Sequence, residues 1–298
     1  MSLALVLSLV AALTYGTSDF FGGLASRRLN VLHATAGTYV VATVAVGAGL
    51  LLVGGVWTTD ATALGALAGI LAVVGFVAFY AALAIGPMSL LSPAIALIGG
   101  VVPVAVAAAT GQSLGPLQWI AIVVAVIATV LISVPSQRSS ERVTLRAAVL
   151  AVIAGLGLGG SVVALDFTDT ASGLVPAMVE MLVGVAVLLL LIAVLKVTRA
   201  TFSLLAIFEP PPAAGRQGFT ARRAWVLATI AGLLLGVSNS LITIALHEGN
   251  LAVVSVLVSL YPLATVVLAA LVLKERLSAV QIVGIALAIV ACVALALG

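Results

Sequence analysis

Ten long apolar stretches separated by polar connectors set the rhythm of the chain. They cover about 3–25, 32–56, 61–85, 88–110, 115–135, 147–165, 172–195, 224–246, 250–273 and 277–297. Each reaches or approaches the roughly 20 apolar residues that carry an α-helix across a bilayer. Strands of a membrane barrel would instead give shorter segments alternating with period two, and that alternation is absent. The pattern predicts an all-α integral membrane protein with ten transmembrane helices. Two connectors are long. One is "SQRSSERVTLR" (136–146). The other, 196–223, contains "EPPPAAGRQGFTARR", whose prolines cannot continue a helix; an exposed, mobile loop is expected there.

Composition closes off the soluble alternatives. The chain is 64% hydrophobic and 7% charged, where a soluble domain carries about 25% charged residues. The single cysteine, Cys292, excludes an internal disulfide and makes a thiolate metal site untenable. No Lys or Arg precedes the first run, so the basic lead of a cleaved signal peptide is missing, and a retained first helix is expected. The net charge of +3 does not point to nucleic acid, because the basic residues sit in connectors. Arg27 and Arg28 follow the first run, Arg138, Arg142 and Arg146 the fifth, Lys196, Arg199, Arg216, Arg222 and Arg223 the seventh, and Lys274 and Arg276 the ninth. Connectors after even-numbered runs hold Asp60, Asp166, Asp169, His247 and Glu248 instead. Cytoplasmic loops carry the Lys/Arg excess, so the charge pattern places both termini outside.

The chain also repeats itself. Shifted by 163 residues, Ala82, Leu83, Gly86, Ser92 and Leu97 fall on Ala245, Leu246, Gly249, Ser255 and Leu260, and Leu114, Gln118 and Ile122 fall on Leu277, Gln281 and Ile285. Near the start a shift of 143 puts Val6, Gly16 and Ser18 on Val149, Gly159 and Ser161. The halves are 1–135 and 147–298, joined by 136–146, with the loop 196–223 inside the second. Five helices per half is an odd number, so the halves enter the membrane in opposite senses. Inverted repeats of this kind recur in secondary transporters, with substrate near the midplane between the halves.

"SLYPLATVVLAALVLKERLSAVQIVGIALAIVACVAL" (259–295) resembles the C-terminal signature of EamA-like transporters of the drug/metabolite transporter superfamily, through Pro262, Ala269–Ala270, Glu275 and Gly284. "YAALAIGPMSLLSPAIAL" (80–97) is similar to that family's third-to-fourth helix hairpin, and "SDFFGGLASRR" (18–28) to the end of the first helix in one of its subgroups. The resemblance implies a secondary transporter of the cytoplasmic membrane moving small metabolites, often amino acids or related compounds. It also implies cytoplasmic termini, against the charge pattern.

Candidate functional residues are polar groups inside apolar runs. A charge at membrane depth is costly and marks function by default. Glu180 in "VPAMVEMLVGV" is the deepest, about 12 Å into the seventh run at 1.5 Å per residue. It is a coupling or substrate-amine site, or else a carboxyl that ties helices together; its repeat counterpart is roughly Tyr39. Asp19 lies near the end of the first run with Tyr15 one turn before it; the alternative is an interfacial Asp beside Arg27 and Arg28. Phe76 and Tyr80, with their counterparts Asn239 and Thr243, give an aromatic face opposite an amide–hydroxyl face, suited to an amphipathic small molecule or to interhelical bonding alone. Ser92, Ser255, Ser259 and Tyr261 accompany the prolines Pro93, Pro103 and Pro262, which free backbone acceptors and kink helices beside cavities or simply to pack. "GLGLGG" (155–160) fits a dinucleotide fingerprint only formally, since no strand precedes it; small residues for helix packing are expected. His247 has no second ligand at metal spacing and reads as a loop residue. In "LKER", Glu275 falls on the neutral Gln112 under the 163 shift, so the cluster reads as a turn anchor.

The reading is a secondary transporter of a small neutral or zwitterionic metabolite working by alternating access, as an exporter, with protons as candidate coupling ion. No cofactor, metal or nucleic acid is expected, and the working unit is a monomer or homodimer in the lipid bilayer. An intramembrane enzyme would need nucleophile–base or metal-ligand sets, and HExxH, GxSxG and paired carboxylates on one helix are absent. A passive channel would need rings of like residues or a filter loop, and a scaffold would need no cavity.

Overall fold

A computed structural model describes residues 2–26, 28–85, 88–112, 114–134, 144–197, 220–272 and 277–297. Residues 136–143 of the connector 136–146, residues 198–219 of the loop 196–223 and residues 274–276 of the turn lie outside the described residues. Tyr80, Ser92 and Pro93 lie within helices, but their side chains are outside the description. The described residues hold helices and turns and no strand. The helices are α1 (Leu3–Ser26), α2 (Val31–Val53), α3 (Thr59–Ile85), α4 (Met88–Ala109), α5 (Pro116–Ser133), α6 (Leu145–Asp166), α7 (Val175–Val197), α8 (Ala221–Glu248), α9 (Leu251–Val258), α10 (Pro262–Val272) and α11 (Ala279–Leu297). Among the described residues nine spans are long and apolar enough to cross a membrane, with α9 and α10 together forming one. The 22-residue α4 is the tenth helix of the two-repeat fold.

The apolar runs locate the helices, and turn chemistry trims them. The second run stops at Val53 because Gly54 takes φ 80. There the chain is held against a 3₁₀ turn (Thr170–Ser172) after α6: Val56 N–H donates to Ala171 O at 3.0 Å and Leu174 N–H to Gly54 O at 3.3 Å. That turn shortens the seventh helix, which starts at Val175 rather than 172. Thr144 caps α6 by accepting from Ala147 N–H at 3.2 Å. His247 is a correction to the expected loop residue: it lies in the last turn of α8, and its Nε2 is 2.9 Å from Thr168 Oγ1. Of the expected kinks, Pro103 sits within an unbroken α4. Pro262 instead opens α10 after a true break. Lacking an N–H, it follows a tight turn in which Leu260 N–H donates to Leu257 O (3.2 Å) and Tyr261 N–H to Val258 O (3.0 Å).

The helix packing is its own image under exchange of the halves. The helix α1 packs on α8 as α6 packs on α3, and α2 packs on α8 as α7 packs on α3. Likewise α4 lies on α6 as the broken α9–α10 span lies on α1. The contacts α2–α7, α4–α9 and α5–α11 map onto themselves. Glycines at the crossings fix the register. A methyl on Gly69 would come within 2.7 Å of Glu180 O, and one on Gly232 within 2.6 Å of Thr38 O. Glu180 therefore stands opposite Thr38, one residue from the expected Tyr39. The last helix of each half opens with the same cap: Gly115 N–H donates to Gln118 Oε1 (2.8 Å), and Ser278 N–H to Gln281 Oε1 (2.9 Å).

The interior is made mostly of alanine, glycine and small polar residues, while Leu51, Leu52, Leu190 and Ile289 lie exposed on the outside. Without water to drive helices together, close backbone approach through small residues holds membrane bundles. The "GLGLGG" segment does this: a methyl on Gly157 would reach 2.8 Å from Gly75 Cα. The basic residues of the described chain, Arg28, Arg146, Lys196, Arg222 and Arg223, all lie at the end of the bundle that carries the odd-numbered connectors. A phosphatase fused to the C-terminus is therefore expected to be active outside the cell, and a fluorescent protein that matures only in the cytoplasm is expected to stay dark there; the reverse pattern would overturn the charge-based orientation.

Candidate substrate cavity

A cavity of about 110 Å³ opens between the two halves. It is lined from α1, α2, α3, α4, α6, α7, α8, α9 and the Ser259–Tyr261 turn, while α5 and α11, which pack on each other, contribute nothing to it among the described residues. Its walls are largely repeat-related pairs: Tyr15 with Leu158, Tyr39 with Met181, Ala72 with Leu235, Phe76 with Asn239, Ile95 with Val258, and Ala96 with Ser259. The space thus lies on the pseudo-twofold axis, where transporters built from inverted repeats hold their substrates. At about 30 Å³ per water, it has room for a few waters or one small molecule.

Among the described residues Glu180 is the only charged one on this wall, and it is 4% exposed. It lies five residues after Val175, the start of α7, so about 8 Å along that helix at 1.5 Å per residue. The carboxyl joins three helices. Ser161 Oγ on α6 donates to Oε1 at 3.0 Å, and Asn239 Nδ2 on α8 donates to Oε2 at 2.9 Å. Neither donor carries charge, and no described Lys or Arg lines the cavity. Asn239 Oδ1 and Ser255 Oγ are buried with no hydrogen-bond partner among the described residues. Aromatic rings close the rest: Tyr15 and Tyr261 are tilted with centroids 5.1 Å apart, and Tyr39 and Phe76 meet edge-on at 6.1 Å.

Of the residues singled out in the sequence, Glu180, Tyr15, Phe76, Asn239, Ser255 and Tyr261 all line this cavity. Asp19 does not. It lines a smaller space of about 50 Å³ between α1, α2 and α8, with Ser18, Ser26 and Thr38, which shares Tyr39, Phe76 and Leu235 with the cavity. Thr243 does not reach the cavity either: it is fully buried, and its hydroxyl donates to Asn239 O at 3.0 Å. Pro103 and Pro262 are off the wall. Ser161, Tyr39 and Met181 line it without standing among the expected site residues, while Ser259, expected beside the cavity with Ser255 and Tyr261, lines it too. Ser161 was visible as the repeat match of Ser18; Tyr39 offered no signal beyond its place opposite the seventh helix. Among the described residues no cluster of three His, Cys, Asp or Glu side chains is placed to hold a metal ion.

The fold and the cavity define a multi-pass membrane protein of two inverted five-helix repeats with a polar cavity between them. The sequence profile of the EamA-like transporter family matches residues 2–134 and 145–297, one copy on each repeat. The chain belongs to the EamA-like transporter family. A solved structure, described only as the crystal structure of a protein, aligns with 99% of this chain and 96% of its own at a TM-score of 0.75 and 16% sequence identity. That likeness speaks to the fold. No curated protein matches the chain.

Proposed function

We propose that this protein is a secondary transporter, an exporter in the cytoplasmic membrane, that carries a small neutral or zwitterionic metabolite by alternating access. The observation that carries this reading is the buried Glu180 carboxyl, hydrogen-bonded by Ser161 and Asn239 and facing a space on the symmetry axis of two inverted repeats. A carboxyl in lipid-shielded surroundings strongly resists standing alone as an anion. It is discharged by taking up a proton or by receiving a cationic group. Glu180 can therefore hold either a proton or the amine end of a substrate, and exchange of one for the other across the membrane couples the two fluxes. The cavity lies within one chain, so a monomer is sufficient, and no cofactor enters the cycle. The space around Asp19 runs from the Tyr39–Phe76 pair toward Ser26, at the end that the charge pattern places in the cytoplasm, which supports loading from that side.

Two other classes fit less well. An enzyme needs a nucleophile within reach of a base; Ser161 Oγ meets that distance to Glu180 at 3.0 Å, but no described Lys, Arg or His lines the cavity beside the pair to stabilise an oxyanion. A channel needs a continuous wet path with repeated like groups, and this cavity has a single carboxylate among its described residues. Metabolite counterflow with the purified chain in proteoliposomes tests the reading. Saturable exchange of an amino-acid-like solute that a trans proton gradient accelerates is expected. Non-saturating leakage, or no exchange across a broad metabolite panel, would overturn it.

A further inference from the structure

Glu180 and Asn239 together present more acceptor than the protein uses. Asn239 spends its Nδ2 on the carboxylate, which leaves Oδ1 pointed away from Glu180. That oxygen is buried, 8% of the residue being exposed, and no group in the described protein donates to it. Ser255 Oγ, on a residue 5% exposed, is likewise buried without a partner among the described residues. Both residues line the cavity. Buried polar atoms are almost always paired, so an acceptor left open beside a carboxylate calls for a donor from outside the chain.

Among the described residues the same wall has no cationic group for an anion, only neutral hydroxyls such as that of Ser255. No described Lys or Arg lines it. The break between α9 and α10, the place where a discontinuous helix could offer free amides, has used them: Leu260, Tyr261, Leu263 and Ala264 N–H donate to Leu257, Val258, Leu260 and Tyr261 carbonyls. What remains is a carboxylate, an amide oxygen and the rings of Tyr15, Tyr39, Phe76 and Tyr261. Aromatic faces attract a cation, and the two oxygen acceptors require that cation to carry hydrogen on nitrogen.

We propose that the cavity reads its substrate by a protonated amine bearing N–H, with Glu180 as counter-ion and Asn239 Oδ1 as directional acceptor, and that it rejects quaternary ammonium groups of the same size. The inference rests on the cavity being the substrate site. A zwitterionic substrate is held by its ammonium end. A quaternary ammonium satisfies the charge and the rings but leaves Asn239 Oδ1 unpaired, and sites built around a hydrogen bond discriminate strongly against analogues that lack it.

Two isomeric monocations isolate this interaction. The tert-butylammonium and tetramethylammonium ions have the same formula, charge and nearly the same shape, and differ in having three N–H bonds or none. Their binding to the full chain in lipid nanodiscs is measured by calorimetry at neutral pH. The wild-type protein is expected to bind tert-butylammonium at least about tenfold more tightly, a conservative floor for a site that loses a designed hydrogen bond. Asn239→Leu is expected to narrow the preference, because the Glu180 oxygens still accept from tert-butylammonium, and Glu180→Gln to remove binding of both. The wild-type comparison stands alone if a variant fails to fold. Equal affinity for the two ions in the wild-type protein overturns the proposal. So does binding of neither, and counterflow then separates the two levels: persisting saturable exchange of another solute leaves the transporter reading intact, and its absence removes that as well.

Discussion

Glu180→Gln is expected to lower saturable counterflow about 100-fold while the protein still folds. The side chain keeps its shape, so the junction of α6, α7 and α8 is still filled. What changes is the hydrogen-bonding logic. A glutamine turns its own N–H toward one neighbour, and if that neighbour is Asn239 Nδ2, two donors face each other. Asn239 then relieves the clash by turning its carbonyl to the new amide and its N–H₂ to the cavity. The cavity loses its negative charge and its open acceptor in one step. A hydrogen bond to a charged group is worth about 1.5–3 kcal/mol, and two of them at the low end of that range, at about 1.4 kcal/mol per tenfold, give the stated factor. Initial counterflow rates at matched protein density measure it. If the carboxyl serves only to tie three helices together, the glutamine does the same work and the rate stays within about twofold, on the same conversion.

Gly16→Ala is expected to cost about 1–3 kcal/mol of stability, the usual range for overpacking a tight interior. The added methyl would run into the Tyr261 carbonyl oxygen and lie 2.9 Å from Ala264 Cβ. Those atoms belong to the broken span, which cannot back away because α9 is buried along nearly its whole length. Gly23→Ala is the internal control. It lies on the same helix, and no atom stands within 4 Å of its new methyl. Removing a glycine from a helix interior there is expected to be neutral or to stabilise by up to about 1 kcal/mol. Gly159→Ala, at the symmetry-related crossing with Gly99 O at 2.7 Å, should resemble Gly16→Ala. Unfolding titrations of the four proteins in mixed micelles measure the differences. Equal stability of Gly16→Ala and Gly23→Ala would contradict the close α1–α10 crossing.

The helices were legible in the sequence because lipid imposes a simple rule, a long apolar run for each crossing, and the repeat was legible because its polar matches do specific work. Gln118 and Gln281 close equivalent caps, and Gly16 and Gly159 make equivalent crossings. Glu180 stood out because charge is rare at depth. The length of the cavity was not legible. Four-residue spacing puts side chains on one face but also moves them about 6 Å along it. That single turn separates Tyr15, on the cavity wall, from Asp19, in the neighbouring space, and Asn239 from Thr243, whose hydroxyl is spent on its own helix. The break before Pro262 was foreshadowed only as a kink, because a proline names the residue without an N–H but not the turn its neighbours adopt. Ser161 was marked only as the repeat match of Ser18. Its role follows from the fold bringing its hydroxyl on α6 within 3.0 Å of Glu180 on α7, a tertiary fact.

The central claim is that one cavity between inverted repeats opens alternately to the two sides. The single native cysteine makes a direct measurement simple. In a Cys292→Ser background, Ser255→Cys places a thiol on the cavity wall, and a membrane-impermeant thiol reagent is applied from each side in turn to oriented vesicles. The account predicts labelling from both sides, with a solute that gives saturable counterflow slowing the reaction on the side where it is added and speeding it on the other. Labelling from one side only under every condition, or from both sides at rates that rise and fall together, would contradict it.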